Sequence, residues 1–151
     1  MCNCSRRSAF GIIAAALTLV ATRVSAAPLP KHKPFVDAAF LMKDEAVAAG
    51  DQAYGAVVVK KDKIVGFGPS RVVIDNDPDA HAERVAMREA QTRLGTADLT
   101  GCVLYSTSQP CPICEGVARE AKVARMYFGP DATDAGPLQI VAPRAGAKKR
   151  T

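Results

Sequence analysis

The sequence has few cysteines, no apolar run long enough for a membrane span, and no acidic residue near either end. Five cysteines in 151 residues are too few for a disulfide scaffold, and an apolar fraction of 48% excludes a disordered chain. The acid-free ends hold three basic residues before Ala27 and four after Pro143. The stretch between them carries 13 basic and 15 acidic side chains, a net of −2. The formal charge of +5 therefore does not indicate a nucleic-acid-binding domain.

Residues 1–26 predict an export signal. Arg6 and Arg7 form a basic region, residues 11–21 form an apolar run rich in alanine, and residues 24–26 offer the small side chains of a cleavage site. The apolar run is about half of the ~20 residues that a membrane span needs, so we expect no stable membrane anchor. The paired arginines resemble a twin-arginine signal, and both the Sec and the twin-arginine routes stay open. We expect an exported protein, periplasmic or secreted; the alternative is an amphipathic N-terminal helix.

The remaining sequence predicts one α/β domain. Residues 27–34 contain three prolines and predict an extended leader, residues 35–142 the domain, and residues 143–151 a basic, flexible tail. Helical spacing of apolar residues and β-branched runs indicate the elements: helices at 35–49, 80–94 and 111–122, and strands at 54–59, 64–67, 102–105 and 124–128. Strands that alternate with helices favour a layered α/β domain.

Two short segments, each where a loop turns into a helix, carry the candidate chemistry. Cys111 and Cys114 are three apart, so both sulfurs point the same way in a helical turn, and a helix N-terminus favours the thiolate. His81 completes a three-ligand set for Zn²⁺, which leaves the fourth tetrahedral position to water, as in catalytic sites. Zinc lowers the pKa of such a water and makes hydroxide available as a nucleophile. Glu83 is placed to take its proton and return it to a leaving group.

Other functions can be assigned to these cysteines. A Cys-x-x-Cys pair at a helix start is typical of redox proteins, so a non-enzymatic or redox zinc–thiolate module is an alternative. A structural zinc site would need a fourth Cys or His, and the only other histidine, His32, lies in the leader, where we expect it to be solvated. Cys102, at a strand start, is expected to be a small buried hydrophobic residue.

The pattern His-x-Glu followed by Pro-Cys-x-x-Cys is the signature of zinc-dependent nucleobase deaminases. From about residue 35 to residue 134 the sequence resembles the cytidine and deoxycytidylate deaminase superfamily, and within it the guanine deaminases and tRNA adenosine deaminases. Three further runs support the resemblance: Tyr54 to Val59, Asn76-Asp77-Pro78 and Val103-Leu104-Tyr105.

The resemblance implies a three-layer α/β/α fold with a mixed central sheet of about five strands and helices on both faces. It also implies hydrolytic removal of an exocyclic amine as ammonia, with zinc on His81, Cys111 and Cys114 and Glu83 as the proton shuttle. Relatives are commonly dimers, so a homodimer is expected by analogy.

Departures from the family pattern concern the substrate. Relatives carry an asparagine that contacts the base where this sequence has Ser70, and a serine cannot offer both an amide donor and a carbonyl acceptor. Gln109 replaces a glutamate that is common before the Pro-Cys pair. Asp134 lies in a segment similar to one of guanine deaminases. We take Ser70, Ala82 and Asp134 as candidate substrate-binding residues.

The sequence thus predicts a zinc-dependent hydrolase that deaminates a free nucleobase or nucleoside, with guanine favoured. The alternative within the superfamily is a tRNA adenosine deaminase that converts adenosine to inosine. The net charge of −2 and the export signal both favour a small-molecule substrate over nucleic acid.

Overall fold

The computed structural model describes residues 31–138. These residues form three helices and five strands, which follow one another along the chain as α1 (Lys33–Ala48), β1 (Gly55–Lys60), β2 (Lys63–Pro69), α2 (Ala82–Leu94), β3 (Cys102–Ser106), α3 (Pro112–Glu120), β4 (Arg125–Phe128) and β5 (Thr133–Asp134). The predicted export signal and basic tail lie outside the described residues. Within them, no helix has the length and apolar character that crossing a membrane requires.

The five strands form one mixed sheet in the order β2-β1-β3-β4-β5. β1 pairs antiparallel with both β2 and β3, β3 pairs parallel with β4, and β4 pairs antiparallel with β5. The parallel pair is joined through α3, as a parallel connection requires. The mixed sheet of five strands is confirmed; the fifth is only two residues long, and periodicity alone did not predict it.

Helices cover both faces of the sheet, which confirms the three-layer arrangement. Alternate residues of each strand point to opposite faces, and two buried clusters follow from this. Val58, Leu104 and Met126 pack with α2 and α3 on one face. Val57 and Tyr105 pack with α1 on the other. Cys102 is fully buried in the first cluster, as predicted for a small hydrophobic residue.

The start of α1 differs from the prediction. The helix begins at Lys33 rather than residue 35, because a proline is well tolerated in a helical first turn and Pro34 occupies it. The prediction that His32 is solvated is wrong: the side chain is 7% exposed. Its Nδ1 lies 2.7 Å from the Tyr105 hydroxyl, and its ring centroid lies 4.7 Å from that of Tyr127. A polar side chain is buried here because a partner hydroxyl satisfies it.

Two glycines of β2 let α2 approach the sheet. A Cβ at Gly68 would lie 2.1 Å from the Ala82 carbonyl oxygen, and one at Gly66 would lie 2.2 Å from the Ala86 carbonyl oxygen. These residues are two apart in a strand and share the face toward the helix. The backbone of α2 therefore rests directly on β2, with alanines as its contact residues, and this contact fixes where the first turn of α2 lies.

We expect Gly68→Ala to lower the free energy of unfolding by about 3 kcal/mol or more, since the clash is with helix backbone and not with a movable side chain. Gly95→Ala is the comparison: Gly95 has φ of 65° at the end of α2 with open space around it. A left-handed alanine costs only about 1–2 kcal/mol. Urea unfolding of both variants measures the difference, and equal losses would contradict the close approach.

A second prediction concerns the stability of the α1 end of the domain at low pH. Burial lowers the pKa of His32 below its ordinary value of 6.5, and the charge of Lys31 lowers it further. The unfolded chain then binds more protons than the folded chain as the pH falls below about 6.5, so stability is lost on acidification. The other titratable groups against the ring are the hydroxyls of Tyr105 and Tyr127.

We expect His32→Gln to flatten the decline of the melting temperature between pH 7 and pH 5. Thermal unfolding at half-unit steps, with the metal content held constant, measures the slope. Lys33→Gln is the control, because Lys33 pairs with Asp37 on the exposed side of α1. An unchanged slope in His32→Gln would contradict the prediction.

Candidate metal centre and active-site pocket

The first turns of α2 and α3 meet near the C-terminal end of β3 and bring the candidate ligands together. His81 is the N-cap residue of α2 and Cys111 the N-cap residue of α3, both with extended backbone angles. Pro112 occupies the first turn of α3, where its missing N–H costs nothing. The Cys111 sulfur accepts a hydrogen bond from the Cys114 backbone N–H at 3.3 Å. The N-cap geometry thus turns each ligand out of its helix toward the other.

The three ligand atoms have the spacing of a zinc site. The His81 Nδ1 lies 3.8 Å from the Cys111 sulfur and 3.5 Å from the Cys114 sulfur, and all three atoms lie within 4.8 Å of one another. Tetrahedral zinc with its usual bond lengths places a nitrogen and a sulfur ligand about 3.6 Å apart. Both cysteines are free thiols. The donors of residues 31–138 therefore fit a zinc ion held by three protein ligands, the number typical of catalytic zinc sites.

The electrostatics of Cys114 also favour a cation. Burial raises the pKa of this thiol far above its ordinary value, and the nearby Glu83 carboxylate raises it further. Such a thiol stays neutral unless a positive charge compensates for the loss of solvent. A bound metal ion supplies that charge and deprotonates a coordinating thiol, so the buried sulfur is matched to a metal ligand.

Glu83 lies beside the ligands and is 6% exposed. Its Oε1 accepts a hydrogen bond from the Ser106 hydroxyl at 3.0 Å, and its Oε2 lies 3.7 Å from the Cys114 sulfur. Ser106 is the last residue of β3, so the sheet itself orients the carboxylate. The predicted ligand set and the predicted proton shuttle thus face one space.

That space is a pocket of about 480 Å³, within the usual size of small-molecule sites. Its lining includes His81, Ala82, Glu83 and Cys111, together with Ser70 and Gln109. Three lining residues were not predicted from the sequence, namely Gln52, Tyr54 and Ser108. They come from the loop before β1 and from the residues just before the cysteine motif. Their position next to these elements is the only feature of the sequence that could have indicated a place in the pocket.

The pocket wall at Ser70 is fixed by a carboxylate that the sequence analysis did not single out. Asp51 accepts hydrogen bonds from the Ser70 hydroxyl at 2.8 Å and from the backbone N–H groups of Gln52, Val73 and Ile74 at 2.7, 2.9 and 2.9 Å. Burial alone would raise the pKa of Asp51, but these hydrogen bonds together lower it to about 2. Asp51 is therefore ionised at neutral pH and accepts all four bonds.

The other two candidate substrate contacts lie in different places. Ala82 is 1% exposed and lines the pocket at the first turn of α2. Asp134 lies in β5 at the far edge of the sheet and is not part of this lining. Its carboxylate accepts a hydrogen bond from the Gly136 backbone N–H at 3.0 Å and pairs with Arg125. The structure thus places Ser70 and Ala82 with the ligands and Asp134 apart from them.

Known proteins resemble this chain in sequence and in fold. The chain is 38% identical over 105 residues to a guanine deaminase of Bacillus subtilis, covering 69% of this chain and 67% of that one. It is 39% identical over 80 residues to a tRNA-specific adenosine deaminase of Buchnera aphidicola subsp. Schizaphis graminum, covering 53% of each chain. The crystal structure of the guanine deaminase from Bacillus subtilis superposes with a TM-score of 0.63 at 37% identity, covering 65% of this chain and 63% of that one.

The chain spans between about half and two thirds of the length of these relatives. Residues 29–130 match the cytidine and deoxycytidylate deaminase zinc-binding region. This match takes in all three ligands, Glu83 and every residue of the pocket lining. The chain therefore belongs to the cytidine and deoxycytidylate deaminase family.

Proposed function

We propose that the protein is a zinc-dependent hydrolase that deaminates a free nucleobase or nucleoside, with guanine as the favoured substrate. One observation carries the proposal: the nitrogen of His81 and the sulfurs of Cys111 and Cys114 form a three-donor metal set beside the buried carboxylate of Glu83, and the pocket opens onto both. The reaction replaces a C–NH₂ group by C=O, consumes one water and releases ammonia.

Each residue has a separate part in this reaction. His81, Cys111 and Cys114 would hold the zinc ion, which lowers the pKa of water so that a nucleophile is available near neutral pH. Glu83 is the base: its Oε1 accepts the Ser106 hydroxyl, and its Oε2, which faces the donor group 3.7 Å from the Cys114 sulfur, is the atom assigned to take the proton of the attacking water. The same oxygen returns the proton to the exocyclic nitrogen, which leaves as ammonia. The second proton of the water moves to the neighbouring ring nitrogen, so that the ring carbon becomes a carbonyl.

The charges around the pocket support an uncharged substrate. No lysine or arginine lines the pocket. The arginines next to it in sequence are engaged, since Arg71 pairs with Asp75 and Arg84 pairs with Asp79. A phosphate group would find no free cation in this lining, so a base or nucleoside suits the site better than a nucleotide or an RNA strand.

Glu83→Gln tests the reaction directly. We expect it to lower kcat for ammonia release by about 100-fold or more, since removing a general base costs 10²–10⁴-fold, while zinc remains bound. The measurement is ammonia release from guanine, adenine, cytosine and their nucleosides, with metal content determined on the same samples. Glu120→Gln, an exposed carboxylate at the end of α3, is the matched control.

Three results would contradict the proposal. Zinc-loaded protein that releases ammonia from none of these compounds is not a nucleobase or nucleoside deaminase. Inosine formed in tRNA, with none of the small molecules consumed, favours the function of the tRNA-specific adenosine deaminases among the relatives. A redox activity that survives Glu83→Gln favours a zinc–thiolate redox module.

Metal binding is a separate prediction. We expect one zinc ion per chain in the wild type and a large loss of bound zinc in Cys111→Ser, because a hydroxyl is a poor ligand where a thiolate is needed. Cys102→Ala should keep its zinc, since Cys102 lies in the hydrophobic core and outside the donor group. Elemental analysis after dialysis measures the stoichiometry. Zinc retained at wild-type level in Cys111→Ser would contradict the assignment.

Chelation should also lower the melting temperature. The donors belong to the first turns of α2 and α3, so a bound metal joins the starts of two helices and stabilises the folded state. The wild type should lose stability on chelation, whereas Cys111→Ser should be insensitive to it. Equal shifts in both proteins would show that the chelator acts elsewhere.

A further inference from the structure

The Ser70 hydroxyl has a fixed direction. It donates its single proton to the ionised carboxylate of Asp51 at 2.8 Å, and a carboxylate in this state can only accept. The other three hydrogen bonds to Asp51 come from backbone N–H groups, so the carboxylate is itself held in place. Ser70 therefore keeps its proton on the side of Asp51 and cannot donate elsewhere.

What remains of Ser70 is an acceptor in the pocket wall. A hydroxyl oxygen has two lone pairs besides its proton, and no side chain of residues 31–138 donates to this one. Ser70 is 1% exposed and belongs to the pocket lining. A buried acceptor without a donor is unfavourable, so the wall is complementary to a substrate that presents an N–H or O–H there.

We propose that Ser70 selects substrates that present a ring N–H, as free guanine does, and that Asp51 is the positioning residue that makes Ser70 an acceptor. This inference rests on the proposed function for the identity of the substrate. The exocyclic amine is the leaving group, so the hydrogen bonds that recognise the base are expected to involve its ring N–H groups. Guanine has an N–H at N1 and another on its imidazole ring, and methylation removes either one.

Replacing Asp51 by asparagine should reverse the direction of this hydrogen bond. The amide oxygen of the new side chain is best placed toward Val73 and Ile74, whose two N–H groups both need an acceptor. Its NH₂ group then takes the place of Oδ1, where it donates to Ser70 while the single Gln52 N–H loses its acceptor. The Ser70 hydroxyl becomes free to donate into the pocket, and the preference for a substrate N–H is lost although Ser70 itself is unchanged.

The test is calorimetric titration of zinc-loaded Glu83→Gln protein, which binds without turnover, with guanine, 1-methylguanine and 9-methylguanine. We expect one of the two methylated bases to bind about fivefold to tenfold more weakly than guanine, the value of one hydrogen bond. Adding Ser70→Ala should weaken the binding of guanine by the same factor and remove the difference in affinity between guanine and that methylated base. Adding Asp51→Asn should remove or invert it. Asp75→Asn, a carboxylate of the same loop that pairs with Arg71, should leave it unchanged.

Two results would overturn the proposal: discrimination that is the same with and without Ser70→Ala, or no binding of guanine by the Glu83→Gln protein. Circular dichroism and metal content of each variant separate misfolding from lost recognition; if Asp51→Asn does not fold, the Ser70→Ala comparison alone decides. Ammonia release by the wild type is scored separately. If the wild type releases ammonia but Ser70→Ala does not change the discrimination between guanine and the methylated bases, only this inference is rejected. If the expected discrimination is found but the wild type releases no ammonia, only the proposed function is rejected.

Discussion

The direct contact of α2 with β2 is the constraint on which the site depends. Gly66 and Gly68 leave no side chain between the strand and the helix backbone, so the position of α2 is set by two backbones and not by adaptable side chains. Interiors packed this closely transmit small displacements instead of absorbing them. Because His81 and Glu83 stand at the start of α2, their distance from the cysteines of α3 is fixed by this contact.

The start of α2 is built for a ligand and not for helix stability. An N-cap side chain usually accepts a hydrogen bond from the first turn, and its loss costs about 1 kcal/mol. His81 makes no such bond, whereas the Cys111 sulfur accepts the usual one from the Cys114 backbone N–H. A buried, high-pKa thiol and an unused cap position are local costs that a bound cation offsets. The missing N-cap bond of His81 and the buried thiol of Cys114 are both locally unfavourable, and such unfavourable features are usually found at functional sites.

The sequence predicted the parts of the fold and site that depend on local spacing. The ligands and Glu83 occur within short motifs at helix starts, so proximity within each motif follows from three-residue and two-residue spacing. The meeting of the two motifs, which lie 30 residues apart, was predicted from the family resemblance and not from spacing. The prediction that His32 is solvated was wrong because the burial of this side chain depends on Tyr105, 73 residues away. Asp51 was missed for the same reason: nothing local marks it, and its four donors come together only when the loop after β2 folds back. β5 is too short for any periodicity.

A pocket whose lining holds no cation is left with the direction of hydrogen bonds as its means of selection. Apart from Glu83 and the ligands, the lining offers amide and hydroxyl groups, which can adapt as donors or acceptors unless something fixes them. Asp51 fixes one of them. A site built to accept a hydrogen bond rejects an analogue that cannot donate, because the buried acceptor is then left unpaired. A single half-buried carboxylate behind the pocket wall can in this way decide which ring nitrogen must carry a proton.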